Sequence, residues 1–291
     1  MEHISFVILH YMSYTYTKNC IDSILQNIIY ENYSIVVVDN ASPNDSSKLL
    51  TDHYNANPKV IILSNQSNSG FAKGNNIGYA YAKNQLHSSY VVVANNDTLF
   101  EQTDFIEEVI ALFNKHNYYI LGPDIITLAG THQNPYRSNV IDHKAAKKWL
   151  RNRQLWTWYL YLDKYFKIST VFSFVNSLFM KRREKNNLSN HSKMLQTNIV
   201  LQGACIIFSP LYVNQQNHAF YPNTYMYCEE DILAYQCAKE NWKILYSPSI
   251  SIVHAECGST KELHSNTIDK DLFQSQNIVK SLKILLKLMK E

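Results

Sequence analysis

Short β-branched runs alternate with amphipathic stretches through residues 1–125, and this alternation leaves few folds open. Strands are expected at Ile4–Leu9, Ser34–Val38, Val60–Leu63, Tyr90–Ala94 and Tyr119–Leu121, and helices at Thr17–Ile29, Ser46–Asn55, Phe71–Lys83 and Phe105–Lys115. Such repetition predicts an α/β fold with a mostly parallel central sheet and helices on both faces. Right-handed crossovers then place the loop after each strand along one edge, where open α/β sheets take ligands. These loops read Val38-Asp39-Asn40-Ala41-Ser42, Asn65-Gln66-Ser67-Asn68-Ser69-Gly70 and Asn95-Asn96-Asp97, so polar groups from three loops converge on one rim.

Later in the chain, Ile199–Phe208 reads as a strand, Glu229–Glu240 as a helix, and Ile244–Tyr246 and Ile250–His254 as short strands. The C-terminal Asn266–Lys290 reads as a helix with Ile278, Leu282, Leu285, Leu286 and Met289 on one face and lysines on the other. Between these regions lies a basic block. From His143 to Lys185 eleven Lys and Arg stand against Asp163 and Glu184, although the whole chain carries only +3. Trp149, Trp156, Trp158 and several Tyr and Phe interleave with these cations, and the polar stretch Lys185–Lys193 reads as a loop. So small a net charge points to no nucleic-acid partner. The five cysteines are scattered without a C-x-x-C pair, which suggests a reducing compartment rather than a disulfide framework or thiolate zinc site. Met1-Glu2-His3 leads straight into a strand, and no run approaches the ~18 apolar residues of a membrane span. The expected location is the cytoplasm.

Glycine is scarce, seven in 291 residues, yet three lie within Gly70-Phe71-Ala72-Lys73-Gly74-Asn75-Asn76-Ile77-Gly78. A glycine inside a helix costs about 0.5–1 kcal/mol relative to Ala. Gly74 and Gly78, one turn apart, let that helix approach either the sheet or a ligand closely. Lys73 could meet a phosphate near the helix start or simply be solvated.

Asp39 could accept the imide N–H of a uracil or thymine base, or cap its own turn. Asp97 ends a buried strand, where a lone carboxylate can hold a hard divalent cation or cap the next segment. Glu229-Glu230-Asp231 gathers three acids at a helix start; the macrodipole accounts for some of them, and a general base for one. His254 ends an apolar strand, as a metal ligand or as a structural histidine.

In this order, Val36-Val37-Val38-Asp39-Asn40-Ala41-Ser42, Asn68 to Gly78, Asn95-Asn96-Asp97, Gly203-Ala204, Glu229-Glu230-Asp231-Ile232-Leu233 and Tyr246-Ser247-Pro248 followed by His254 resemble a family 2 glycosyltransferase of the GT-A fold, the bacterial cell-surface polysaccharide kind, over residues 3–260. The resemblance implies an inverting transfer from a UDP- or dTDP-sugar to a hydroxyl of a glycan or polyprenyl-diphosphate-linked acceptor. It implies Asp39 at the base, with Asn40, Lys73, Gly74, Asn75, Asn96, Gly203 and Glu229 as further substrate contacts. Asp97 becomes the last acid of a D-x-D motif holding Mg2+ or Mn2+, and His254 completes that site. Matching Leu233 to the family's leucine makes Glu230 the general base, with Asp231 the alternative if the register slips by one. An exposed Glu230 would be ionised at neutral pH and act mainly by position.

The resemblance also divides the chain. Residues 1–141 form the nucleotide-sugar half, 142–195 a basic aromatic helical insertion, 196–262 the acceptor half, and 263–291 an amphipathic helix. The insertion and last helix would meet an anionic membrane surface on the inner face of the plasma membrane, pair copies of the chain, or cover the acceptor site. Three departures from the family pattern stand out: Asn-Asn-Asp in place of D-x-D, Glu in place of the basic Asp with Gln236 where an arginine is common, and a first strand ending Leu9-His10-Tyr11-Met12-Ser13. The first departure keeps a second reading open, a catalytically inactive nucleotide-sugar-binding or scaffolding subunit. A nucleotidyltransferase needs a glycine-rich first loop, a dehydrogenase the Rossmann glycines, and neither is present.

Overall fold

The structure, a computed structural model, describes residues 1–167, 193–256 and 267–290. The expected loop Lys185–Lys193, the second half of the basic block, Cys257, Gly258 and Asn266 lie wholly or largely outside the described residues.

Among the described residues the strands form one nine-stranded sheet. Its first part is parallel: β3 (Val60–Ser64), β2 (Tyr33–Asp39), β1 (Ile4–His10) and β4 (Tyr90–Asn95) lie side by side in that order. Alternation along each strand divides two cores, as period-two side-chain direction requires. Ile4, Phe6 and Ile8 of β1, with Ile35 and Val37 of β2, pack under α1 (Tyr14–Asn27), α2 (Ser46–Tyr54) and α4 (Phe105–His116). Val7, Val36 and Val38 point the other way, under α3 (Gly70–Asn84).

Beyond β4 the sheet becomes mixed. β8 (Cys205–Phe208) runs antiparallel to β4 and to β6 (Ile120–Thr127), and β9 (Ile244–His254) returns parallel to β6. The two-residue strands β5 (Thr98–Leu99) and β7 (Gln196–Thr197) pair antiparallel with β9. The expected α/β architecture holds, while the mostly parallel expectation describes only the first half. The two short strands expected near residue 250 are one strand, with a register shift opposite Pro123/Asp124. The long strand expected from Ile199 shortens to Cys205–Phe208. Asn198 takes a left-handed backbone (φ 56), and Asn134 Oδ1 accepts from Gln202 N–H at 2.7 Å, which holds residues 198–204 out of the ladder.

A third layer is formed by helices from the second half of the chain and α5. α5 (His143–Phe166) starts at Asp142, whose Oδ1 accepts from Ala145 N–H, and packs on α8 (Thr267–Leu288). Short helix α6 (Pro210–Gln215) precedes α7 (Glu229–Lys239). Ile278, Leu282 and Leu285 of α8 are buried in a cluster with Ala146 of α5 and Ile232 of α7. The apolar face of the C-terminal helix is therefore consumed inside the protein and is not presented to a lipid surface.

Candidate active site

The strand ends meet in one cavity of about 460 Å3. Leu9, Asn40, Asn95, Asn96 and Asp97 line it from the C-terminal ends of β1, β2 and β4 and the loops after them, and Gly203, just before β8, and Glu229, Glu230 and Asp231 of α7 face it. Trp149 and Arg153 of α5, with Phe273 and Ile278 of α8, close its far wall.

On the wall formed by the parallel strands, Asn40 joins the loops. Its Oδ1 accepts from Ser69 N–H (3.0 Å) and Asn65 Nδ2 (3.1 Å), and its Nδ2 donates to Asn68 Oδ1 (2.9 Å). Asp39 is buried, and its Oδ1 accepts from Ser42 Oγ (2.6 Å) and Ser42 N–H (3.2 Å), so one oxygen is committed to its own turn. Lys73 is exposed on α3 and is not part of the cavity wall.

Gly74 and Gly78 face the sheet. A Cβ at Gly74 would lie 2.4 Å from Leu9 Cδ1, and one at Gly78 would lie 2.4 Å from Val7 Cγ1. Of the two approaches open from sequence, the helix makes the one to the sheet. Asn75 is buried, with Oδ1 unpartnered among the described residues. Asn76, which sequence reasoning passed over, exchanges two hydrogen bonds with the backbone of Phe220 at 2.8 and 2.9 Å. Gly70 takes φ 81 directly under Tyr225 O. Together these pin α3 to the segment leading into α7, so the loops around Asn40 and the acidic helix are built as one unit.

That segment enters α7 through two consecutive left-handed residues, Tyr227 (φ 72) and Cys228 (φ 66). Non-glycine residues pay roughly 1–2 kcal/mol each for this conformation, and such strain gathers where side chains must be aimed. Glu230 is half-buried and seated on Gly203, where a Cβ would lie 2.4 Å from its Oε1. Burial pushes the Glu230 carboxyl above its ordinary range, opposed by its own N–H, by Arg137 and by the Gly203 N–H. The expectation of an ordinary exposed carboxylate is thus corrected: packing, which a sequence does not display, removes water from it.

Glu229 is buried, with Oε1 lacking a hydrogen-bond partner among the described residues; burial and the neighbouring Glu230 push its carboxyl up to about 8. Asp231 is only 2% exposed and ion-paired with Arg137, whose guanidinium also lies over the rings of Tyr136 and Trp149. Arg137 had no signal in the sequence. It stands in an irregular loop after β6, bridged to Val200, far along the chain from α7.

Pairing of β5 with β9 sets Thr98 opposite His254 and brings His254 Nε2 within 3.3 Å of Asp97 Oδ1. The other ring nitrogen is committed: His254 Nδ1 donates to Gln133 Oε1 at 2.7 Å, and Gln133 Nε2 donates to Glu256 Oε1 at 2.7 Å, which fixes the amide's orientation. Nε2 is therefore the ring nitrogen that faces the Asp97 carboxylate. Among the described residues no cluster of three His, Cys, Asp or Glu forms. One carboxylate and one imidazole at this spacing fit a hard divalent cation that keeps phosphate and water oxygens as its remaining ligands. Asn96 turns away from this pair, its Nδ2 donating to Thr17 Oγ1 at 3.0 Å.

Residues 5–186 match the family described as Glycosyl transferase family 2. Glycosyltransferase GlyG of Streptococcus pneumoniae is 25% identical over 126 residues, 40% of each chain. The low-salt glycan biosynthesis hexosyltransferase Agl10 of Haloferax volcanii is 27% identical over 130 residues, 45% of this chain and 39% of its own. The chain thus aligns with about two fifths of the length of these relatives. The fold is shared with S. aureus TarS 1–349 (TM-score 0.54, 11% identity, covering 96% of this chain and 65% of that one). It is shared also with GalNAc-T7 solved with UDP, GalNAc and Mn2+ (TM-score 0.58, 13% identity, 88% and 44%). The match covers more than half of the sequence, and this chain belongs to glycosyl transferase family 2.

Proposed function

We infer that this chain is an inverting glycosyltransferase moving a sugar from a UDP- or dTDP-sugar to a hydroxyl of a glycan or lipid-linked acceptor in surface polysaccharide synthesis. The observation that carries the reading is the cavity itself, which sets Asp97 and the donor loops on one wall and Glu230 of α7 on another. Neighbours of the same fold are solved with UDP, which supports a nucleotide donor.

In this reading residues 1–141 hold the donor and 196–262 the acceptor. Asp39 uses its oxygen not engaged by Ser42 for the base, and Asn40 and Asn75 shape its surroundings, while Gly74 acts through helix-on-sheet packing and neither Lys73, off the cavity wall, nor Asn96, bonded to Thr17, is assigned a donor contact. Asp97 and His254 would hold Mg2+ or Mn2+, which when bound offsets charge growing on the departing diphosphate. Glu230 takes the proton from the acceptor hydroxyl as that oxygen attacks the anomeric carbon; the carbon–oxygen bond to diphosphate breaks and configuration inverts. The raised proton affinity of Glu230 suits this task, because a base works best with its pKa nearer the operating pH. Glu229 holds its proton at neutral pH and offers it to a substrate oxygen. Asp231, the alternative base, is engaged by Arg137, and this favours Glu230. Gly203 seats the Glu230 side chain.

Thermal-shift measurements against UDP, dTDP and GDP, with and without Mn2+, test donor binding, followed by turnover of the stabilising sugar nucleotide by wild type and Glu230→Gln. Binding with turnover lost in the variant is expected. The inward-turned Asn96 favours a second reading, an inactive nucleotide-sugar-binding subunit, for which stabilisation without turnover in wild type is the outcome.

A further inference from the structure

The α5 helix presents two unlike faces. Inward, Ala146 is buried, and Trp149 and Arg153 line the cavity. Outward, at spacings that share one helical face, stand Lys144, Lys147, Lys148 and Arg151 in its first half and Leu155, Trp158, Tyr165 and Phe166 in its second. The four apolar side chains are 61–72% exposed. Single exposed apolar residues need no explanation, but a line of four on one helix marks a contact surface.

No acid interrupts this face: Asp142 is spent capping the helix, Asp163 is buried, and Lys164, off the face, is paired with Asp269. No helix among the described residues is long and apolar enough to cross a membrane. A second copy laid across this face would bring four cations and no carboxylate to the contact. An anionic lipid surface answers both halves, with headgroups for the cations and the interfacial layer for Trp158, Tyr165 and Phe166.

We propose that the outer face of α5 docks onto a membrane surface carrying anionic phospholipids. The docked helix lies in the interface plane, its cationic half against headgroups and its aromatic half in the acyl boundary. A helix is about 10 Å thick, so the cavity wall made by Trp149 and Arg153 then sits one helix diameter from the lipid. The docking stands on this surface alone and holds whatever chemistry the cavity performs.

Co-sedimentation of the full chain with vesicles of phosphatidylglycerol mixed with phosphatidylcholine, and of phosphatidylcholine alone, tests it. Binding to the anionic vesicles only, weakening with salt, is expected. The Lys147→Gln, Arg151→Gln double variant should lose about thirtyfold in partitioning, and Trp158→Ser about tenfold, both with wild-type melting temperature because these side chains are exposed. No vesicle binding, equal binding to phosphatidylcholine alone, or undiminished binding by both variants overturns the proposal. So does a vesicle-free dimer that Trp158→Ser dissociates, since the face would then belong to a second copy.

Discussion

Replacing Gly78 with alanine sets two effects of opposite sign against each other. The position is inside α3 with ordinary helical backbone, so alanine should gain about 0.5–1 kcal/mol from reduced chain entropy. Its Cβ, however, would lie 2.4 Å from Val7 Cγ1 and 2.9 Å from Val38 Cγ2. Both valines are fully buried on central strands, and a β-branched side chain there has no spare rotamer to retreat into. Overpacking of this kind costs about 1–3 kcal/mol, so a net loss of about 1–2 kcal/mol is expected, a fall of roughly 2–8 °C in melting temperature for a chain of this size. Gly74→Ala should behave differently. The clash there is with the terminal methyl of half-buried Leu9, which can swing aside, so its stability should change by less than about 1 kcal/mol. Chemical denaturation of both variants, with Val7→Ala added to Gly78→Ala to relieve the crowding, measures the coupling directly. A Gly78→Ala protein as stable as wild type, or a Gly74→Ala protein with intact stability and lost donor affinity, would refute the argument that these glycines serve helix-on-sheet packing.

Burial holds the His10 imidazole down to about 4 from 6.5, between Thr17 Oγ1 and Ser46 Oγ. The unfolded chain takes that proton first as pH falls, so stability present above pH 6.5 should decline by up to about 3 kcal/mol toward pH 4; urea denaturation of wild type and His10→Gln across this range should show the variant's shallower slope. Glu229 shows the mirror case: its carboxyl is raised to about 8 from 4.5, so the folded protein keeps a proton the unfolded chain has released, and stability should fall as pH rises through that window. Glu229→Gln should remove this loss, measured as a higher melting temperature than wild type at alkaline pH. Gln133→Leu should weaken Mn2+ binding to the protein about 10- to 100-fold, read by electron paramagnetic resonance of free Mn2+; unchanged affinity contradicts the Glu256–Gln133–His254 arrangement.

Much of the fold was legible because local pattern and long-range structure agree. The β-branched runs Ile4–Leu9, Ser34–Val38 and Tyr90–Ala94 read as strands and are buried strands, each one or two residues longer than expected, and the loops after them are where the cavity forms. The acids of α7 were visible as a cluster, but not how differently each is surrounded. That depends on Arg137, whose partner Asp231 comes from a distant helix, and on desolvation of Glu229 and Glu230, which only packing creates. The same holds for the glycines: their clustering was plain, yet Leu9, Val7 and Val38 as the groups that occupy the space are a fact of the sheet's register. Two-residue strands such as β5 carry no periodicity, although β5 is what brings His254 to Asp97. For α8 the apolar stripe was read correctly and its destination was open, because an amphipathic helix does not say what it packs against.

The most direct test of the account is turnover by Glu230→Gln beside Asp231→Asn, with donor affinity measured separately on each. If Glu230 is the base, its variant binds the donor as wild type does and loses about 10^2- to 10^4-fold in turnover together with the acid limb of the pH profile. Asp231→Asn, which acts through Arg137, loses less and keeps that limb. Wild-type turnover by Glu230→Gln, or its loss in Asp231→Asn alone, contradicts the account.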